Sequence, residues 1–373
     1  MKKCGKKKIL FITAFPPNEQ TAGQNYSMNL INDLSSTHQV DIIYWGYEKH
    51  SISKKIIDRV NVLKEYSVNM KVLSIIWSVI LFLFPFFTVR FNLAALGYIH
   101  RIYKHYDILY FDFSQVFVYS LFLSHSCKIM MCHDVISQKY TRDNRFYIYK
   151  WWINNSEKRL LNTAKRILCF SEKDRSLIST NEKKVEVVSF YIDNKILDIQ
   201  LETLGLGSFF CFYGAWNRNE NLSGLLWFIN KVLPLCDSDI VFKIIGGGMP
   251  LDVKKIIEKK RNISYLGFVE NPYSIIVQSK ALLAPLFSGA GVKVKVIESL
   301  ALGTPVIGTN IAFEGIMRVD YANNKNAQVL FSSAENMATL INNFQISQKE
   351  KVDIRNTFLS KYGSRKFIHM MNL

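Results

Sequence analysis

The sequence predicts an α/β protein made of two doubly wound domains, each a parallel sheet covered by helices. Three observations predict it. Short β-rich apolar runs recur along the chain with helix-period stretches between them. The runs are continuous rather than alternating, so both faces of each strand are covered, as in parallel sheets. The length of 373 residues fits two or three domains of about 100–200 residues, each able to bury its own core.

In the first half the runs are Lys8–Thr13, Val40–Tyr44, Asp107–Phe113, Lys128–His133, Arg166–Phe170 and Val185–Phe190. The opening Lys6-Lys7-Lys8 and Ile9-Leu10-Phe11-Ile12 resemble a signal peptide only superficially. The apolar stretch is short and enters Pro16-Pro17, so it reads as a buried first strand. After the loop Phe15–Gly23, Leu30, Ile31 and Leu34 form a helical stripe with Ser27 as its weak member. In the second half the runs are Phe209–Gly214, Ile240–Ile245, Ile263–Leu266, Ala281–Leu286, Pro305–Gly308 and Gln328–Phe331. A helix is expected from Asn221 to Leu235, stopped by Pro234. The polar segment Asp193–Gly207 reads as the linker, giving domains 1–200 and 201–349 and a terminal helical segment 350–373. Two such domains joined once place a ligand cleft between their strand carboxyl ends.

With 49% hydrophobic residues the chain is not disordered. Lys and Arg outnumber Asp and Glu by 47 to 30, a net charge of +17 that calls for an anionic partner. Residues 1–200 carry 28 basic and 17 acidic side chains, so the first half is the more basic. The lysines form no aromatic-interleaved stripe, which ranks nucleic acid last among partners. Six cysteines without a Cys-x-x-Cys pair argue against a zinc site or disulfide frame and for a reducing compartment. Asp237-Ser238-Asp239 could suggest a metal site, but it precedes a strand, at the end away from the expected cleft, and reads as a solvated turn. No metal or cofactor is expected.

Between Lys71 and Arg90 lie eighteen uncharged residues, Val72–Val89, interrupted by Pro85 and flanked by basic residues. The favoured expectation is a surface that dips into the membrane interface with a cationic rim; a spanning helix and an ordinary buried helix are the alternatives.

The most informative stretch runs from Ala284 to Leu300. A strand ends near Leu286, Gly289-Ala290-Gly291 form a loop, and a helix is expected from Val292, with Lys293 and Lys295 in its first turn. Glycines let the backbone approach a ligand and expose amides at a helix start. Two lysines there oppose the helix dipole, a conflict that a diphosphate resolves. Glu298 lies one turn deeper and can accept both hydroxyls of a ribose; otherwise it forms an ordinary helix pair with Lys295.

These residues, continuing through Pro305-Val306-Ile307, resemble the donor-site signature of the group 1 (family 4) retaining glycosyltransferases of the GT-B fold. The likeness is greatest to a bacterial polysaccharide-biosynthesis subgroup with a Gly-x-Gly-x-Arg-x-Lys-x-x-Glu pattern, here with Lys293 in the arginine position. Supporting matches are Pro16-Pro17 to Ala22-Gly23, His133-Asp134-Val135, Phe170-Ser171-Glu172, Tyr213-Gly214 with Asn221, Ile245-Gly246, Gly267-Phe268 and Glu314-Gly315. The resemblance implies two Rossmann-like domains facing across a cleft, with a final helix crossing back to the first. It implies metal-independent transfer from a nucleotide-diphosphate sugar to a lipid-linked or oligosaccharide acceptor, at the cytoplasmic face of the cell membrane. In those terms His133, Lys293 and Lys295 are catalytic. Glu298, Gly289, Ala290, Gly291, Val292, Gly214, Arg218, Gly246 and Phe268 bind the donor, and Ala22 and Gly23 form the acceptor or phosphate loop.

Two departures stand out. Ala290 occupies the position of the family's first glutamate, and Ala215 that of an arginine, with neither Asn219 nor Glu220 able to replace the lysine that accompanies it. The expectation is that Lys293 and Lys295 carry the diphosphate, assisted by Arg218. Rival readings are a GT-B epimerase or phosphorylase and a catalytically silent partner of another transferase.

Overall fold

The computed structural model describes residues 6–47, 50–142, 144–178, 180, 184–201 and 204–362. They divide into two compact units, one ending at Tyr191 and the other beginning at Ile192.

The first unit is a seven-stranded sheet of β1 (Lys8–Thr13), β2 (Gln39–Trp45), β3 (Asn61–Tyr66), β4 (Ile108–Asp112), β5 (Lys128–Met131), β6 (Arg166–Cys169) and β7 (Val185–Val187). Its order is β3-β2-β1-β4-β5-β6-β7, and every pair is parallel. Leu10, Ile12, Leu109, Phe111, Met130 and Ile167 meet in one core, which covers the sheet as the unbroken apolar runs require. The strand order reverses between β1 and β4, and a crevice opens at the carboxyl ends of such a pair.

The second unit contains β8 (Phe209–Tyr213), β9 (Val241–Ile245), β10 (Ile263–Gly267), β11 (Leu282–Ala284), β12 (Val306–Gly308), the small hairpin β13 (Asp320–Tyr321) and β14 (Lys325–Asn326), and β15 (Gln328–Leu330). The main sheet runs β10-β9-β8-β11-β12-β15, all parallel, and reverses between β8 and β11. Phe210, Phe212, Phe228, Phe242 and Ile307 lie in its core.

The helix expected from Asn221 to Leu235 is not continuous. An α-helix Asn219–Trp227 passes into a π turn at Phe228–Val232 and a 3-10 turn at Leu233–Leu235 that contains Pro234. The helix Gln348–Tyr362 packs on the second unit, pinned by buried Lys351, whose Nζ donates to the carbonyls of Val277 and Ser279 at 2.5 Å each. The expected crossing of 350–373 back to the first domain turns on residues 363–373, which lie outside the described residues.

The apolar segment from Val72 becomes a helix, Lys71–Leu81, ended by Phe82 in the left-handed region at φ 51°. Its polarity is inverted. Ser74 and Ser78 are buried and donate to the carbonyls of Pro85 and Leu83, while Val72, Ile75, Val79, Ile80 and Phe82 are exposed. The buried-helix alternative therefore fails. Among the described residues no helix is long and apolar enough to cross a membrane. Phe82 also lies 6.5 Å from exposed Trp151, ring to ring, which extends the apolar face to a second helix.

Candidate active site

In the second unit the loop after β11 places Gly289 at φ 110° and Gly291 at φ 68°, backbone that side chains other than glycine strain to adopt. The helix begins at Val294, not Val292. Lys293 is its N-cap in extended conformation (φ −90°, ψ 99°), because the left-handed turn at Gly291 delays entry into the helix. The Lys293 Nζ folds back and donates to the carbonyls of Ala290 (3.0 Å) and Gly291 (2.7 Å), countering part of its conflict with the helix dipole.

Lys295 sits in the first turn, and its Nζ donates to Oδ1 of Asn221 at 2.7 Å. Asn221 in turn donates from Nδ2 to the Ala215 carbonyl at 2.9 Å. The amide comes so close to Gly214 that a Cβ there would lie 2.9 Å from Nδ2. Burial pushes the Lys295 ammonium down to about 7; Glu220 opposes the shift, and nearby Lys293 and Arg218 add to it. Lys293 thus folds onto the glycine loop, and Lys293 and Arg218 both lie near enough to Lys295 to act on its charge. Arg218 is exposed and caps the helix Asn219–Trp227.

Glu298 does not pair with Lys295. Its Oε1 accepts from the Tyr273 hydroxyl at 2.9 Å. Burial pushes the carboxyl up to about 7, against the Tyr273 hydrogen bond and with repulsion from Asp193. Gly246, at φ 121°, abuts Gly214: a Cβ would sit 1.9 Å from the Gly214 carbonyl oxygen. Phe268, just after β10, is 78% exposed. Gly214, Gly246 and Phe268 thus line the carboxyl edge of β8, β9 and β10, beside the switch point where the lysines stand.

In the first unit His133 follows β5. Its Nε2 donates to Oδ1 of fully buried Asp112, the last residue of β4, at 2.8 Å. The other Asp112 oxygen accepts from Ser27 (2.5 Å) and Thr13 (3.2 Å). Ser27, the weak member of the apolar stripe, is thus polar because it faces a carboxylate. With the proton on Nε2, Nδ1 is left as an acceptor, and it points toward Gly23. Phe113, held at φ 69°, stacks on the imidazole at 3.8 Å and 8°. A positive φ at a bulky residue is strained, and such strain clusters at functional sites. Ala22 and Gly23 open the helix Ala22–Ser35, capped by Thr21.

Asp112, Asn221 and Tyr273 escaped sequence reasoning as positioning groups. Asp112 left one signal, a charge closing an otherwise apolar strand. Asp237 is held by Asn342 in a turn before β9. Among the described residues no group of three or more His, Cys, Asp or Glu is placed to hold a metal.

A two-unit parallel-sheet fold, each sheet with its own switch point, defines the GT-B architecture. Residues 208–344 match the family of glycosyl transferases group 1. No curated protein matches the chain. Among solved structures, HepE of Anabaena in complex with UDP and glucose is similar over 99% of this chain and 100% of its own, with 11% identity and a TM-score of 0.66. TarM, known from S. aureus, covers 100% of this chain and 99% of its own at 14% identity and a TM-score of 0.68. WaaG, a glycosyltransferase involved in lipopolysaccharide biosynthesis, covers 97% and 98% at 11% identity and a TM-score of 0.64. Residues 208–344 of the second unit thus carry the likeness to the group 1 glycosyl transferases, within a chain that has the GT-B fold throughout.

Proposed function

We propose that the protein is a retaining, metal-independent transferase that moves a sugar from a nucleotide-diphosphate donor to a lipid-linked glycan in bacterial surface polysaccharide synthesis. The observation that carries this reading is the group of Lys293, Lys295 and Arg218 beside the helix start at Val294, Lys293 folded onto the glycine loop itself, with Glu298 oriented by Tyr273 one turn away.

Breaking the sugar–phosphate bond leaves its electron pair on the diphosphate, and fixed cations stabilise that developing charge. The acceptor hydroxyl bonds to the anomeric carbon, and its proton passes to the departing phosphate. Glu298 is assigned to the ribose hydroxyls and His133, oriented by Asp112, to the transferred sugar. The outward apolar face of Lys71–Leu81, continued at Trp151, supports attachment to a membrane interface, where a lipid-linked acceptor resides.

The test is transfer from a panel of nucleotide sugars onto a lipid-linked acceptor. Lys293→Ala and Lys295→Ala are each expected to cut the rate about 100-fold. Unchanged turnover in a folded variant contradicts the assignment, and turnover of nucleotide sugar without any acceptor favours an epimerase.

A further inference from the structure

The first unit carries a second concavity that none of these residues occupies. It is a cavity of about 740 Å³ at the carboxyl ends of β1, β2 and β3, walled by Phe15, Tyr47, Glu65, Tyr66, Arg90 and Gln115. Arg90 is only 4% exposed. Its Nε donates to the Ala14 carbonyl at 2.6 Å and its Nη1 to Oε1 of Gln115 at 2.5 Å. The guanidinium lies 4.4 Å over the Phe15 ring. All three partners are neutral, and among the described residues no carboxylate pairs with Arg90.

A buried cation without a counter-ion is costly, and natural chains pair such charges or keep them for a ligand. Burial pushes the Arg90 guanidinium down to about 10, where it still carries its charge near neutrality. The Arg90 backbone is anchored too: its carbonyl accepts from the Tyr119 hydroxyl, which accepts in turn from the Asn92 amide. Nη2 has no hydrogen-bond partner among the described residues, so the planar donor edge suited to carboxylate or phosphate remains open. Tyr47 and Tyr66 present aromatic surface on which sugar rings stack, and Glu65 and Gln115 add planar acceptors for adjacent hydroxyls.

We propose that this cavity binds a sugar unit bearing an anionic group, carboxylate or phosphate, with Arg90 as its counter-ion. The inference rests on the transferase reading in one respect, that the sugar bound here belongs to the acceptor glycan.

The experiment is calorimetric or NMR titration of the full chain with methyl glucuronide, glucose 6-phosphate, methyl glucoside and inorganic phosphate. The two charged sugars are expected to bind at least about tenfold more tightly than methyl glucoside and than phosphate alone. The tighter of the two identifies the anion. Arg90→Gln should erase the preference. Because that site is buried, Val68→Glu serves beside it: Val68 lines the same cavity and is 38% exposed, so a carboxylate there puts an opposing negative charge into the cavity without disturbing the core. Equal binding of charged and neutral sugars, equal binding of phosphate alone, or a preference that survives Val68→Glu overturns the proposal. Loss of nucleotide-sugar turnover as an activity of the chain, with the preference intact, overturns the transferase reading and leaves this site standing.

Discussion

Asp112 Oδ1 lies 2.8 Å from Nε2 of His133, and the carboxylate has no exposed surface. The pair joins the ends of neighbouring strands β4 and β5, so the sheet itself fixes the imidazole and its tautomer. Replacing Asp112 by Asn puts an amide donor where three donors converge and weakens the hold on the Nε2 proton. Transfer is expected to fall about 100-fold, within the range for disturbing an oriented histidine. A kcat loss exceeding any change in KM, at near-normal melting temperature, is the signature; an equal loss by global unfolding is not.

Gly23 tests the same geometry from the other side. A Cβ there would lie 2.9 Å from Cζ of Phe113, whose ring is stacked on His133. Alanine improves helix propensity by about 0.8–1 kcal/mol, but overpacking costs about 1–3 kcal/mol. The clash wins. Gly23→Ala should reduce activity with a small fall in melting temperature, and Phe113→Leu in the same chain should recover the stability without the activity.

In the proposed donor site, burial of Lys295 and Glu298 costs stability in the free fold. Lys295 binds its proton more weakly than an unfolded lysine, so from about pH 7 to about pH 10 the unfolded chain holds more protons and stability rises with pH. Glu298 binds its proton more tightly than an unfolded glutamate, so from about pH 4.5 to about pH 7 stability falls as pH rises. Lys295→Met should flatten the upper limb and raise stability at pH 7 by about 1–4 kcal/mol, as replacement of a buried charge often does. Denaturant melts from pH 5 to 10 check both limbs.

Tyr273 donates to Glu298 and holds its carboxyl down against burial. Tyr273→Phe should raise the Glu298 pKa above about 7, moving the acidic limb of the rate profile to higher pH. Donor KM should rise with kcat little changed, since the ribose contact proposed for Glu298 would be made in ground and transition states alike. A profile that does not move separates Glu298 from donor binding.

Val79 is 70% exposed on the outward face of Lys71–Leu81. Val79→Glu should leave the melting temperature unchanged and sharply reduce co-sedimentation with vesicles containing acidic lipid. Retained sedimentation removes that face from membrane attachment.

Much of the fold is legible in the sequence because covered parallel strands are written as unbroken apolar runs. Each expected run overlaps an observed strand; most are trimmed by one to three residues, as Val185–Phe190 is to Val185–Val187, while Val40–Tyr44 and Ile263–Leu266 are extended to Gln39–Trp45 and Ile263–Gly267. The edge strand Asn61–Tyr66 is invisible to that signal, since Lys64 and Glu65 are exposed and interrupt its pattern. The glycine–lysine loop is legible because unusual backbone demands glycine and displaced charge demands lysine. Its supports are not. Asn221 reaches Lys295 across 74 residues of sequence and Tyr273 reaches Glu298 across 25, so only the folded chain shows them. The inverted helix at Lys71–Leu81 reads as merely apolar until Ser74 and Ser78 are seen to face inward.

The central claim is that the cations opening the helix at Val294 hold a diphosphate, and proton exchange on binding tests it most directly. Nucleoside diphosphates are titrated calorimetrically into the full chain at pH 8, in two buffers of different ionisation enthalpy. Lys295 is then mostly neutral and should take up close to one proton per ligand bound, and Lys295→Met should lose both the uptake and most of the affinity. Tight binding with no proton uptake, or undiminished affinity in Lys295→Met, would contradict the account.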